Sequence, residues 1–247
     1  MIKYHQLAKY LGVLCLSVVL TADLVSPSAV AQTRIKSSVG KAVTFSCQDN
    51  ETTIKLKNGP KVVNGLTTIY IGYQQVSSIN QNPILIRFDN GRRRWCRTDY
   101  ETTLDDGTGY GLYWDGGKNM YGVFSSTGTQ NGNDFRRFAT QGWLTSYGSG
   151  GGAKVAVLTR IDPGNGNITR ASFLSARKPS DGKTNSLVVT GLSWNGKALT
   201  VNAQSWWSPR RRDRSSMTCS GSSPFQYTVV FSGDLKRVNS ASAVNCR

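Results

Sequence analysis

Short runs of β-branched and aromatic residues alternate with turn-forming residues along most of this chain. Clear runs occupy residues 42–45, 68–73, 155–158 and 227–231. Each has the length of a strand and is bounded by Gly, Asn, Asp or Ser, which is typical of β-structure. No stretch places its apolar residues at the spacing of an amphipathic helix. The pattern therefore predicts an all-β fold.

Two segments of the chain are alike and indicate an internal repeat. Gly-Leu-Tyr-Trp-Asp-Gly occupies residues 111–116, and Gly-Leu-Ser-Trp-Asn-Gly occupies 191–196; Gly65-Leu66 is a weaker copy without the tryptophan. Asp-Gly and Asn-Gly favour tight hairpins, because both central residues of such a turn need positive φ. We predict at least three four-stranded antiparallel units, with Trp114 and Trp194 at equivalent positions and a hairpin after each.

The repeat pattern resembles that of short β-propeller repeats in exported bacterial proteins of uncharacterised function. The nearest stretches are Arg-Ile-Asp-Pro-Gly-Asn-Gly at 160–166 and Leu-Ser-Trp-Asn-Gly-Lys-Ala-Leu-Thr-Val at 192–201. The resemblance implies a β-propeller-like fold and no particular activity. Three units are fewer than the roughly four blades that close a propeller, so a β-trefoil and a β-sandwich remain alternatives.

The N-terminal residues have the layout of a secretory signal peptide. Lys3 and Lys9 precede an apolar run at residues 11–20, and Ala-Val-Ala at 29–31 forms a cleavage site. The apolar run is shorter than the roughly 20 residues of a membrane-spanning helix. We predict a cleaved signal peptide at residues 1–31, a single all-β repeat domain at 32–247, and a secreted or periplasmic location.

The cysteines of the predicted mature chain indicate disulfide bonds. Cys47, Cys96, Cys219 and Cys246 are an even number in a protein predicted to be exported, which favours two disulfides. Three pairings are possible, and the sequence does not choose among them. No pair has the close spacing of a zinc knuckle, so neither a metal nor a cofactor is predicted.

Histidine is missing from residues 32–247, because the only one is His5. A Ser-His-Asp triad, a Cys-His dyad and histidine-ligated zinc are therefore excluded for the mature chain. A glycan hydrolase would have to use paired carboxylates. The candidate acids for that alternative are Glu51, Glu101, Asp105, Asp106 and Asp115. The residues favour a non-catalytic binding or envelope-surface protein.

The charge of the predicted mature chain is strongly positive. Removal of residues 1–31 takes away Lys3, Lys9 and Asp23, which leaves 28 basic and 13 acidic residues and a net charge of +15. Such a charge raises the local concentration of anions, although it also serves solubility. An acidic polysaccharide or another polyanion is the predicted partner.

Two long inserts, at residues 127–153 and 206–224, combine arginines with aromatic residues. Guanidinium groups bind carboxylate, sulfate or phosphate through paired hydrogen bonds, and flat rings stack on sugars or bases. Equivalent loops of a repeat fold emerge on one face, so we predict one anion-binding surface. Its candidate residues are Arg136, Arg137, Trp206, Trp207, Arg210, Arg211 and Arg212. The alternative is that the rings fill the core and the arginines form a solvated rim.

Three further motifs have simpler interpretations. The basic run at 92–94 is predicted to block pairing at a sheet edge. Residues 162–167 offer oxygens at a calcium-like spacing but also form a favourable turn sequence, and we expect the turn. The glycine-rich run at 148–152 lacks the strand–helix context of a phosphate-binding loop, and we expect a flexible hinge.

Overall fold

A computed structural model of the chain describes residues 33–247. The predicted signal peptide and the predicted mature N-terminus, Gln32, lie outside the described residues. Within 33–247, no helix has both the length and the apolar character needed to cross a membrane.

Antiparallel strands account for most of the regular structure, so the predicted all-β class is confirmed. The helical elements are α1 (Glu51–Leu56) and a short 3₁₀ helix (Phe135–Phe138). In chain order the strands are β1 (Arg34–Ile35), β2 (Ser37–Val39), β3 (Lys61–Asn64), β4 (Thr67–Gln75), β5 (Gln81–Asp89), β6 (Arg92–Arg97), β7 (Gly109–Trp114), β8 (Met120–Ser126), β9 (Val155–Ile161), β10 (Ile168–Leu174), β11 (Ala176–Arg177), β12 (Thr184–Asn185), β13 (Leu187–Trp194), β14 (Ala198–Ser205), β15 (Phe225–Ser232) and β16 (Val238–Ala243).

The strands form three main sheets, each built on a four-stranded antiparallel meander. Sheet A has the order β1-β3-β4-β5-β6, sheet B has β10-β9-β8-β7-β2, and sheet C has β13-β14-β15-β16; β11 and β12 form a separate ribbon. Sheet A packs on sheet B mainly through β4 and β7, and sheet C packs on sheet B through β13. No closed barrel or ring of blades is evident among residues 33–247. The β-propeller-like arrangement therefore stays a prediction.

Sheet B lies in the middle and is buried on both faces. All seven residues of β8 are buried, and β9 is buried except at Arg160. Neighbouring residues of β9 serve different cores: Val157 packs against sheet A, whereas Leu158 packs against sheet C. Strands buried on both faces have continuous apolar runs, and the sequences of β8 and β9 fit that rule.

Sheet C has one solvated face, and its strands alternate accordingly. Along β15, Phe225, Tyr227, Val229 and Phe231 are buried and the residues between them are at least partly exposed. The far face of sheet A, by contrast, is covered by α1, whose Ile54 packs in a third core. Sheet C is thus the layer whose strands carry a polar face.

Trp114 and Trp194 occupy corresponding positions, at the last residue of the first strand in their meanders. The side chain of Asp115 accepts a hydrogen bond from the Gly117 amide at 2.7 Å, and Asn195 accepts one from the Lys197 amide at 3.0 Å. Both Asx-Gly pairs form the predicted hairpins.

The weaker copy of the marker is not equivalent to the other two. Gly65-Leu66 lies in the turn between β3 and β4, where Gly65 has a φ of 60°. The Gly-Leu pairs at 111–112 and 191–192 lie inside strands. The interpretation of Gly65-Leu66 as a third copy was wrong, because its glycine supplies a turn conformation rather than a strand position.

Two disulfides join the four cysteines, as predicted. Cys47 bonds to Cys96, and Cys219 bonds to Cys246, with S–S distances of 2.05 and 2.01 Å. The first ties the segment before α1 to β6. The second ties the insert at 206–224 to the chain just beyond β16.

Removing either disulfide by paired Cys→Ala substitution is expected to lower the free energy of unfolding by about 2–4 kcal/mol. The sequence separations are 49 and 27 residues. Loop-closure entropy then makes loss of Cys47–Cys96 costlier by about 0.5 kcal/mol. Urea unfolding measures both values. Free thiols at these four positions in the oxidised, denatured protein would contradict the pairing.

Candidate anion-binding surface

The insert that follows β14 folds back on itself as an irregular hairpin with arginines at its tip. Arg210 forms a β-bridge with Ser216. The Arg211 amide donates to the carbonyl of Ser215 at 2.7 Å, and the Arg214 amide donates to the carbonyl of Arg211 at 2.9 Å. The turn therefore concentrates the side chains of residues 210–214 in a small volume.

Trp143, from the insert at 127–153, holds this hairpin in place. Its side chain is 2% exposed and packs edge-on against Phe231, with ring centroids 5.7 Å apart. Its indole N–H donates to the carbonyl of Arg212 at 2.9 Å. Its backbone amide donates to the carbonyl of Leu235 at 2.9 Å. The two long inserts therefore meet at one buried tryptophan.

Two adjoining cavities open beside Trp143, and basic side chains dominate their charged lining. Their volumes are about 690 and 310 Å³, and they share Trp143 and Arg214. We call their cations the basic surface: Arg177, Arg210, Arg212, Arg214, Lys236 and Arg237. Asp213 is the one acidic residue in the described lining, and its carboxylate accepts hydrogen bonds from the amide and hydroxyl of Ser215.

The candidate residues of this insert divide into two groups. Arg210 and Arg212 belong to the basic surface. Arg211 instead donates to the carbonyl of Ser216 in its own loop and to the main-chain oxygen of Arg247.

Neither candidate tryptophan is among the residues that line the two cavities. Trp206 and Trp207 are 36% and 46% exposed where the chain leaves β14. They are surface side chains and not core residues.

Arg136 and Arg137 are held by a different set of contacts. Arg136 forms an ion pair with Asp134 at 2.8 Å. Arg137 donates to the carbonyl of Asp99 and lies over the ring of Phe138 at 4.5 Å. Within residues 33–247, no hydrogen bond or ion pair joins these arginines to those at 210–212. That all five form one surface stays a prediction.

Sequence reasoning missed four cations of the basic surface. Arg214 belongs to the same arginine-rich run as Arg210 and Arg212, so the high density of arginines in that run could have identified it. Arg177 is in β11, and Lys236 and Arg237 are in the turn between β15 and β16. These three stand apart in the sequence and converge only through the pairing of strands.

The carboxylates proposed for a hydrolase are poorly placed for contact with a glycan. Glu101 and Asp105 are 0% and 2% exposed. The Asp105 carboxylate accepts hydrogen bonds from the Ser126 hydroxyl and the Thr127 amide. Burial raises the pKa of Glu101 to about 7, and its Oε2 has no hydrogen-bond partner among the described residues. A polymer could not reach this pair without a rearrangement.

The remaining candidate acids are dispersed. Glu51, in α1, accepts a hydrogen bond from the Tyr70 hydroxyl at 3.3 Å. Asp106 accepts one from the Gln81 amide, and Asp115 orders its own hairpin. The hydrolase that uses paired carboxylates therefore stays a prediction, and none of these five candidate acids forms an accessible pair with another.

Two of the simpler motifs are anchored in the fold. The loop at 162–167 forms a turn, in which the Asp162 carboxylate accepts from the Gly164 amide at 2.8 Å. The run at 92–94 is exposed on β6, an edge strand of sheet A.

Comparison with known proteins identifies no relative: no family model, no curated protein and no solved structure matches the chain. The functional conclusion therefore rests on the residues of this chain.

Trp143→Ala is expected to lower the free energy of unfolding by about 3–5 kcal/mol, because it leaves a large cavity in the core between sheets B and C. Trp143→Phe keeps a ring but leaves the Arg212 carbonyl without its indole donor, and should cost about 1 kcal/mol for that bond. Chemical denaturation of both variants tests the assignment. Equal, small losses of stability would show that the tryptophan does not anchor the hairpin.

Glu101→Gln is expected to make the protein more stable above pH 7 and to change little at pH 4. The folded-state pKa lies above the unfolded value, so the folded state binds more protons and wild-type stability falls as pH rises from about 4.5 to 7. The gain is at most about 3 kcal/mol. Urea unfolding across pH measures it, with Glu51→Gln as a partly exposed control. A pH-independent effect at Glu101 would contradict the raised pKa.

Proposed function

We propose that this protein is an exported, non-catalytic binding protein for an anionic polymer, which it holds through the basic surface. The observation that carries the proposal is the meeting of six cations around two adjoining cavities, with Asp213 as the acidic residue in their lining. The two disulfides are compatible with an exported protein.

The arginines of the molecule are neutralised unevenly, which favours binding at the basic surface. Arg87, Arg97 and Arg136 each form an ion pair with an aspartate two residues away. Within 33–247, none of the four ion pairs involves a cation of the basic surface. The positive charge is therefore left available where the inserts meet.

The guanidinium groups of the hairpin are stabilised mainly by neutral acceptors. Arg210 donates to the carbonyl of Arg214 at 3.1 Å, and Arg211 donates to the carbonyl of Ser216. A carbonyl orients a guanidinium without cancelling its charge. These contacts orient the guanidinium group of Arg210 within the basic surface, which lowers the entropy cost when a polyanion binds there.

An acidic polysaccharide is the ligand that we propose for this surface. Arg212, Arg214, Lys236 and Arg237 are exposed and accessible to a chain that lies along the cavities. Trp143 is buried, so the cavities offer little aromatic surface for stacking of nucleic-acid bases. Recognition is then mainly electrostatic. The stacked meanders would serve as a β-propeller-like scaffold for the inserts.

Replacement of Arg212, Lys236 and Arg237 by alanine is expected to abolish most binding to an acidic polysaccharide at low salt. Binding should weaken as salt screens the charges, and removal of three cations should flatten that dependence. For DNA, a plot of the logarithm of the binding constant against the logarithm of the salt concentration should become less steep. Its slope should fall by about 1 for each phosphate that the variant no longer neutralises. Retention on polysaccharide and DNA columns at several salt concentrations measures both effects.

The matched control replaces Arg92, Arg93 and Arg94, which removes the same charge from the edge of sheet A. It should keep most of the affinity, because these side chains lie on a different sheet. An equal drop in affinity in both variants would show that binding follows net charge alone. Absence of binding to any polyanion at low salt would reject the proposal.

A further inference from the structure

The smaller of the two cavities brings Arg177 and Arg210 together without a carboxylate between them. Its volume is about 310 Å³. Besides the shared Trp143 and Arg214 and the two arginines, its lining is Leu144, Thr145, Ser146, Gly148, Ser149, Gly182 and Thr184. These residues supply hydroxyl and backbone groups and no acidic side chain. The cavity therefore combines positive charge with uncharged polar groups.

Arg210 is partly buried, and no ion pair with a carboxylate compensates its charge among residues 33–247. Its Nη2 lies 3.4 Å from the hydroxyl of Ser175, and its Nε is buried without a hydrogen-bond partner in the described residues. Burial, with a further contribution from the charge of Arg177, lowers the pKa of Arg210. A desolvated cation beside a second cation is unfavourable unless an anion joins them.

Backbone contacts hold both arginines where they are. The hydroxyl of Tyr227 donates to the carbonyl of Arg210 at 2.8 Å. Arg177 donates from Nε to the carbonyl of Gly182 at 2.9 Å, and its amide donates to the carbonyl of Ser208 at 2.9 Å. The fold therefore fixes the backbone of Arg210 and one edge of the Arg177 guanidinium beside the cavity.

Part of the cavity wall depends on a glycine. Gly148 has a φ of 104°, and a Cβ there would overlap the hydroxyl of Thr184. The Thr184 amide donates to the carbonyl of Ser149 at 2.8 Å. Glycine thus lets residues 148 and 149 lie against β12 and form the wall of the cavity.

We propose that this cavity is a binding site for one tetrahedral oxyanion, namely the sulfate or phosphate group of a charged polymer. Free sulfate and the phosphate dianion match the two guanidinium groups in charge, and guanidinium N–H groups form charge-assisted hydrogen bonds to the oxygens of such anions. A sulfate ester of a polymer carries one negative charge, as a carboxylate does, but it presents three terminal oxygens to the two guanidinium groups, whereas a carboxylate presents two. Chloride would accept fewer directed hydrogen bonds. The polymer part of this inference rests on the proposed function, whereas binding of the free oxyanion does not.

The neighbouring cavity offers a place for the next charged group of a bound polymer. The larger cavity, which contains Arg212, Lys236 and Arg237, adjoins the smaller one at two shared residues, Trp143 and Arg214. The next charged group of the chain would lie there. The smaller cavity would then select the kind of charged group, and the larger one would add affinity.

Titration calorimetry with sodium sulfate and sodium phosphate, at constant ionic strength set with sodium chloride, tests the site on residues 32–247 with both disulfides formed. Wild type should show saturable binding of one oxyanion. Arg177→Met should weaken it about tenfold or more, because the variant lacks a pair of charge-assisted hydrogen bonds. Arg177→Lys should bind with intermediate affinity, and Arg92→Met should bind like wild type.

Folding of the variants is checked by urea unfolding. If Arg177→Met does not fold, Ser149→Asp replaces it, since a carboxylate at the rim of the cavity should displace the anion and leave the arginines in place. Equal affinity in wild type and either variant overturns the proposal. Failure to detect saturable binding in wild type does so as well.

A polymer comparison separates this inference from the proposed function. A sulfated and a carboxylated polysaccharide of matched charge density are bound to wild type and to Arg177→Met. Preference for the sulfated polymer that disappears in the variant supports the site. Equal binding of both polymers by both proteins rejects the site and leaves the basic surface standing; binding of neither polymer rejects the proposed function.

Discussion

Burial of both faces of sheet B is the constraint on which the rest of the structure depends. Because β8 and β9 contribute side chains to two cores, the insert between them packs into both, with Phe135 in the core towards sheet A and Trp143 in the core towards sheet C. It passes along the edge strand β10, where the Phe173 amide donates to the carbonyl of Leu144 at 3.0 Å. This path carries Trp143 into the core between sheets B and C, and there it meets the arginine-rich hairpin.

The basic surface shows how a small protein can keep several like charges together. Their mutual repulsion is not offset by acids but by anchors of the backbone, namely the indole of Trp143, the hydroxyl of Tyr227 and the disulfide at Cys219. The fold supplies the energy that holds the cations in place, and their charge stays available to a ligand. If these arginines were paired with aspartates, their mutual repulsion would be smaller, but the surface would attract an anion less strongly.

The sequence predicted the strands well where burial is reflected in side-chain pattern. Continuous apolar runs in β8 and β9, and alternation in β15, each follow from the faces that are covered. The hairpins after Trp114 and Trp194 could be predicted because Asx-Gly chemistry is local. Arg177 and Lys236 could not, since nothing near them in the sequence marks the neighbours that strand pairing gives them. Glu101 was interpreted as an available acid because its burial depends on contacts from distant segments.

The short strands β1 and β2 have a consequence for the order in which the molecule folds. Within each meander, strands that follow one another in sequence pair with each other, although two of the connections are the long inserts at 127–153 and 206–224. Arg34, however, pairs with Asn64, and Ser37 pairs with Tyr113. A six-residue segment thus extends two different sheets, and both of its docking edges exist only after two meanders have formed. Because the segment joins the two sheets, it can complete its pairing only when sheets A and B have reached their final relative position.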